Sequence, residues 1–141
     1  MILSTKIVKR SKPIILSLLL LPSMLWGIMF VQGNLGINPI EKLMDELGKM
    51  ALRLIIVTLI ISSLSQYRFL RSLQNIRRMI GLTAFYYVVC HFLTYIVLDH
   101  FFNWKFVIKD IVKRPFITFG FINFILFLPL VLTSTNAMVK K

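Results

Sequence analysis

Four apolar runs stand out along the chain, at 14–31, 47–64, 79–98 and 115–133, each bounded by charged or turn-forming residues. A helix crossing about 30 Å of hydrocarbon needs roughly 20 apolar residues, so each run predicts a membrane-spanning helix. The connections between them are short, which predicts antiparallel neighbours. The expected fold is all-α: an integral membrane bundle of four transmembrane helices, in one domain over residues 1–141. Pro22 and Pro129 fall inside the first and fourth runs, where each removes a backbone hydrogen bond and bends a helix. Pro115 stands at the start of the fourth run, where a proline fits the first turn. Between the first two runs, "QGNLGINPIEKLMDELGKM" predicts a turn followed by a short amphipathic start to the second helix. Asn38 is its expected N-cap, and Asp45, Lys49 and Arg53 form a charge ladder at i, i+4, i+8.

Composition agrees with this pattern. A 57% hydrophobic content and a mean hydropathy of +0.81 lie far outside the range of soluble domains. Little chain is left outside the bilayer, which excludes a soluble catalytic domain, and no nucleotide-binding glycine loop is present. The net charge of +12 would suggest nucleic acid for a soluble protein, but in a multispanning chain it reports topology, and no nucleic-acid partner is expected. Ten cations carry no acid among them: Lys6, Lys9, Arg10 and Lys12 before the first run, Arg68, Arg71, Arg77 and Arg78 between the second and third, and Lys140 and Lys141 in the tail. All five acids, Glu41, Asp45, Glu46, Asp99 and Asp110, lie in or beside the other two connections. The positive-inside rule then puts both termini in the cytoplasm and segments 32–46 and 99–114 outside. The first run is expected to be a retained span rather than a cleaved leader, because it is long and no small-x-small site follows it. The single cysteine, Cys90, excludes an intrachain disulfide and reads as a small buried apolar residue.

The one ionisable ring inside a span is His91. On a helix it lies roughly 18 Å from Met79 and about 10 Å from Leu98, inside the hydrocarbon and nearer the outer face. Its side of the helix carries Gly81, Ala84, Val88, Thr94 and Tyr95, a stripe with a small-residue inner half that admits a neighbouring helix or a flat cofactor. Two readings compete. One is a neutral imidazole bonded to a hydroxyl or carbonyl of another helix; the other is axial ligation of haem iron, with Phe85, Tyr86, Tyr87 and Phe92 as possible walls. Covalent haem attachment is excluded, because C-x-x-C-H would need a cysteine at Tyr87. His100 follows nine residues later on the opposite side of the helix, so the pair cannot clamp one iron, and it is expected to be an exposed loop histidine. Arg53 lies just within the membrane, where snorkelling to the outer surface is the plainer reading and pairing with a haem propionate the sharper one.

The ordered stretches "GNLGINPIEKL", "GKMALRLIIVTLIISSL", "IRRMIGLTAFYYVVCHFLTYIVLD", "IVKRPFITFG" and "LTSTNA" resemble the MsrQ family within the ferric-reductase-like transmembrane proteins. Arg77, Arg78, Gly81, Leu82, His91, Tyr95, Arg114, Pro115, Thr118 and Gly120 carry the resemblance most specifically. It implies a multi-pass subunit of the bacterial inner membrane that holds b-type haem and has FMN associated with it. Such a subunit passes electrons from a quinone or a cytoplasmic flavin reductase to a periplasmic molybdopterin methionine-sulfoxide reductase, and is not a self-contained enzyme. His91 is the family's metal ligand that carries over, and Arg77 and Arg78 become candidates for a donor contact or a flavin phosphate, beside ordinary positive-inside anchoring. Leu47 and Ser63 depart from the family pattern, where threonine and proline are usual. The resemblance implies further spans with more haem-ligating histidines, so this chain corresponds to the first four. The alternative function is a shortened or split four-helix membrane protein without cofactor or redox activity. A proton or ion path through His91 lacks the intramembrane carboxylates it would need.

Overall fold

The computed structural model describes residues 5–67, 70 and 73–133. The described residues form α1 (Thr5–Val31), α2 (Pro39–Leu64), α3 (Gln74–Leu93) running on into a π-helical turn (Thr94–Asp99), α4 (Trp104–Lys113) and α5 (Pro115–Thr133). Four of these stretches are long and apolar enough to cross a membrane: 10–31, 39–64, 76–99 and 115–133. This is the expected all-α membrane bundle. Arg68, Arg71, Lys140 and Lys141 of the charge count, and residues 134–137 of the "LTSTNA" stretch, lie outside the described residues.

Glycine sets the first turn. Gly33 has φ +70°, its N–H bonds to the Phe30 carbonyl at 3.1 Å, and the Asn34 N–H bonds to the Met29 carbonyl at 2.9 Å. This is the paired 5→2 and 6→1 closure that satisfies the last carbonyls of α1. Pro39 then opens α2, with Asn38 at the N-cap as expected. The Asn38 side chain does not cap a backbone N–H, however; its Nδ2 donates to Glu41 Oε2 at 3.2 Å. Of the expected ladder, Lys49 bonds Asp45 at 2.6 Å, and Lys42 pairs with Glu46 at 3.5 Å.

The core lies between α2 and α3. Leu43, Leu47, Ala51, Leu54 and Ile61 repeat at three- and four-residue steps and meet Ile80, Ala84 and Tyr87. In lipid no hydrophobic effect drives helices together, so close packing of small residues and interhelical hydrogen bonds must hold this seam. Ala84 is fully buried, and a Cβ on Gly81 would sit 3.7 Å from Thr58 Cγ2. The small half of the His91 stripe therefore receives α2 rather than a flat cofactor. Tyr87, also fully buried, ties in α1: its hydroxyl donates to the Leu19 carbonyl at 2.6 Å, in the turn where Pro22 removes a backbone donor. Trp26 meets the Tyr87 ring edge-on at 6.5 Å.

A short helix that the pattern reading left as an outer connection occupies 104–113. The chain reverses into it through Phe101 and Phe102, both at positive φ (46° and 60°), a conformation unusual for such side chains. Within α4, Lys105, Lys109 and Lys113 form one stripe at i, i+4, i+8, while Trp104, Ile108 and Val112 form an exposed apolar stripe beside it. Buried Val107 and half-buried Ile111 face the bundle. This is the segregation of an interfacial helix. The Thr118 hydroxyl donates to the Ile111 carbonyl and holds the corner between α4 and α5. α5 then leans on α3 through an aromatic ladder: Phe85 stacks with Phe124 and Phe127 at 6.3 and 6.1 Å, and Phe92 with Phe124 at 4.6 Å.

Tyr87→Phe is expected to cost about 0.6 kcal/mol and Tyr87→Ala about 3–5 kcal/mol in reversible detergent unfolding, because the first removes one interhelical bond and the second also empties the seam. With Trp26 replaced by Phe, the fluorescence of Trp104 should be quenched more strongly by lipids brominated near the headgroup than by lipids brominated at the chain ends.

Candidate functional site

The site is built around how the His91 ring is held. Its Nδ1 lies 2.8 Å from the carbonyl oxygen of Met44 on α2. A carbonyl only accepts, so Nδ1 carries the proton, and in the neutral ring Nε2 is the lone-pair nitrogen. No described residue hydrogen-bonds Nε2. The contact exists because position 48 is glycine. Gly48 is four residues after Met44, where a side chain would stand over that carbonyl, and a Cβ there would come within 3.0 Å of Nδ1 and 3.1 Å of Cε1. A carbonyl bond at one imidazole nitrogen, fixing tautomer and rotation while the other nitrogen is open, is the arrangement metal-ligating histidines use.

His91 lines a groove of about 310 Å³ between α3, its π-turn and α5. Phe92, Phe121 and Phe124 wall it, and Tyr95, Asp99, Asp110 and Arg114 stand at its outer end. The π-turn contributes to this alignment. Its wider winding takes more than four residues per turn, so Tyr95 and Asp99 stay on the face of His91 instead of drifting around the helix. Within the groove the Tyr95 hydroxyl is buried and has no partner among the described residues. Such an orphan hydroxyl, the open Nε2, the glycine cradle and the cation at the mouth suit an anionic, metal-bearing aromatic group on this face. The described residues supply one imidazole ligand and no second, and no group of three metal-ligating side chains occurs among them.

The other residues singled out in the sequence go elsewhere. Of the four candidate aromatic walls, only Phe92 lines the groove; Phe85 is taken by α5, Tyr87 by α1, and Tyr86 by a separate groove against α1. His100 is not the exposed loop histidine expected. Its side chain is only 11% accessible, stacked 4.4 Å from the Tyr95 ring, with Nε2 at 3.2 Å from Asp110 Oδ2. Asp99 Oδ2 lies 3.1 Å from Nδ1 but off the N–H direction, so the contact is an ion-pair distance without a hydrogen bond. The reversal at Phe101 and Phe102 brings α4 back over this ring, which spacing along one helix could not reveal. Arg53 is exposed on α2 and does not line the His91 groove, in keeping with snorkelling. Arg77 and Arg78 line an inner cavity of about 510 Å³ with Thr58, Gln74 and Gly81. Thirteen residues separate Arg78 from His91, roughly 20 Å along α3.

Gly48, Met44 and Arg114 were missed as members of the site. The available signal was a glycine facing the histidine across two adjacent spans, and an arginine heading a run with phenylalanines at 116, 121 and 124.

Comparison with known proteins places this geometry in a class. A family model for the ferric reductase like transmembrane component matches residues 47–141. The chain belongs to that family. The MsrQ resemblance is borne out by curated relatives named protein-methionine-sulfoxide reductase heme-binding subunit MsrQ. That of Caulobacter vibrioides is 48% identical over 109 residues, covering 77% of this chain and 52% of the relative. Those of Herminiimonas arsenicoxydans and Rhodospirillum rubrum are 43% and 42% identical over 122 residues, covering 86% of this chain and 56% and 59% of theirs. The chain thus spans about half the length of the curated relatives it matches. No solved structure matches it.

In the haem-free protein, nitrogen-15 spectra of labelled histidine should show His91 as the Nδ1-protonated tautomer. Gly48→Ala should shift both ring nitrogens while the His100 resonances stay in place.

Proposed function

We propose that the chain is the electron-transfer portion of a membrane haem protein in a methionine-sulfoxide reductase system. In this reading His91 Nε2 is an axial ligand of a b-type haem seated against the Phe92, Phe121 and Phe124 wall. The observation that carries it is the Nδ1 bond to Met44 over Gly48, which leaves Nε2 as a fixed lone-pair donor beside an aromatic groove. When bound, haem supplies a one-electron carrier within the apolar layer. The chain's own residues orient the ligand, exclude water with the phenylalanine wall, and offer charge at the mouth. Arg114, which lines the groove, is better placed than Arg53 to pair with a propionate, and the Tyr95 hydroxyl can donate to an acceptor there. A second axial ligand would come from another polypeptide segment.

Electrons would enter at the opposite end. The two arginines of the inner cavity suit the phosphate of FMN or contact with a cytoplasmic flavin reductase or quinone donor. The periplasmic molybdopterin enzyme would dock on the outer end, over 34–46 and 99–113, where α4 presents its lysine stripe. The orientation, with this end outward and in a bacterial inner membrane, follows the charge count.

Purified from haem-sufficient cells, the protein should show a reduced b-type spectrum that His91→Ala abolishes and that Arg114→Gln retains with about tenfold weaker haem affinity. A colourless protein that stays colourless when hemin is titrated into it would refute the haem assignment and leave the cofactor-free alternative.

A further inference from the structure

A second groove, of about 600 Å³, runs between α1 and α3 on the side away from the His91 wall. Lys12 and Arg78 stand at its head, and Leu16, Leu20, Met24 and Leu82 line its length. None of the five acids of the chain lines it, since all of them lie toward the other end of the bundle. At its far end Tyr86 donates to Ser23 Oγ at 3.3 Å, and Ser23 donates to the Leu20 carbonyl at 2.7 Å, so these hydroxyls are engaged within the protein. Polarity is therefore demanded at one end only. From Lys12 to Met24 the groove follows α1 for about 18 Å, close to the roughly 15 Å depth of one leaflet's hydrocarbon.

We propose that this groove is a binding site for a single anionic glycerophospholipid, with its phosphate at Lys12 and Arg78 and an acyl chain along Leu16, Leu20 and Met24. Charge selects this occupant. A zwitterionic lipid brings its own cation beside the phosphate, and a quinone head brings no charge at all, so either would leave the cationic head of the groove uncompensated. Basic clusters between spans at the membrane border favour anionic headgroups by about fivefold for each Lys or Arg. The lipid would also fill the cleft between α1 and α3 beside the Tyr87 to Leu19 bond.

The test is native mass spectrometry of the full chain released from nanodiscs of equal phosphatidylglycerol and phosphatidylcholine. Lys12 and Leu16 line this groove and not the inner cavity of Arg77, so Lys12→Gln and Leu16→Trp probe it alone. One bound phosphatidylglycerol is expected, reduced about fivefold by Lys12→Gln. It should also be lost in Leu16→Trp, which keeps every charge, and be unaffected by Arg10→Gln, an exposed cation outside the groove. Equal retention of both lipids would overturn the proposal. So would an equal loss in Arg10→Gln, or a Leu16→Trp protein that keeps its lipid.

Discussion

A single backbone carbonyl governs the arrangement. Met44 offers its oxygen sideways to His91 because the next turn of α2 carries no side chain at Gly48. Without that opening the imidazole could not approach α2, its proton would have no fixed place, and the ring would be free to turn within an apolar layer. Burial of an imidazole in hydrocarbon is tolerable only when its N–H is satisfied, and the helix supplies the acceptor through a second lone pair on a carbonyl already used in its own ladder. The same contact ties α2 to α3 at the outer end of their shared seam, so the site and the packing of the bundle are one construction.

The rest of the outer end follows from how α3 finishes. A wide turn over Thr94–Asp99 holds Tyr95 and Asp99 in line with His91, and the reversal at Phe101 and Phe102 returns α4 across them. Asp110 thereby reaches His100, Arg114 reaches the mouth of the groove, and α5 descends with its phenylalanines against Phe85 and Phe92. Acids collect at this end and uncompensated cations at the other, a polarity that both orients the chain and separates two kinds of cavity: one aromatic and metal-suited, the other cationic and apolar.

The bundle was legible from the sequence because apolar runs of membrane length are a one-dimensional signal. Pro39 and Pro115 marked helix starts correctly for the same reason: their effect is local to one turn. His91 stood out because an ionisable ring in hydrocarbon is conspicuous wherever the chain goes next. Its partners were hidden, since Gly48 and Met44 become meaningful only once α2 is set against α3 at a particular depth. His100 was misjudged by treating 91–100 as one regular helix, whereas the π-turn and the following reversal place it under α4. The ten residues of α4 were too short and too charged to register as a span, although their lysine and apolar stripes repeat every four residues.

A π-turn holds more residues than an α-helix of the same length would use, which makes Thr94–Asp99 a form of slack in the backbone. Excising a single residue there would let the helix close to regular winding and swing everything beyond it by about 100°. His91 would keep its seat while the outer cap faced another direction. The ligand and the cap are in that sense geared separately, and evolution can re-aim the docking end without disturbing the imidazole.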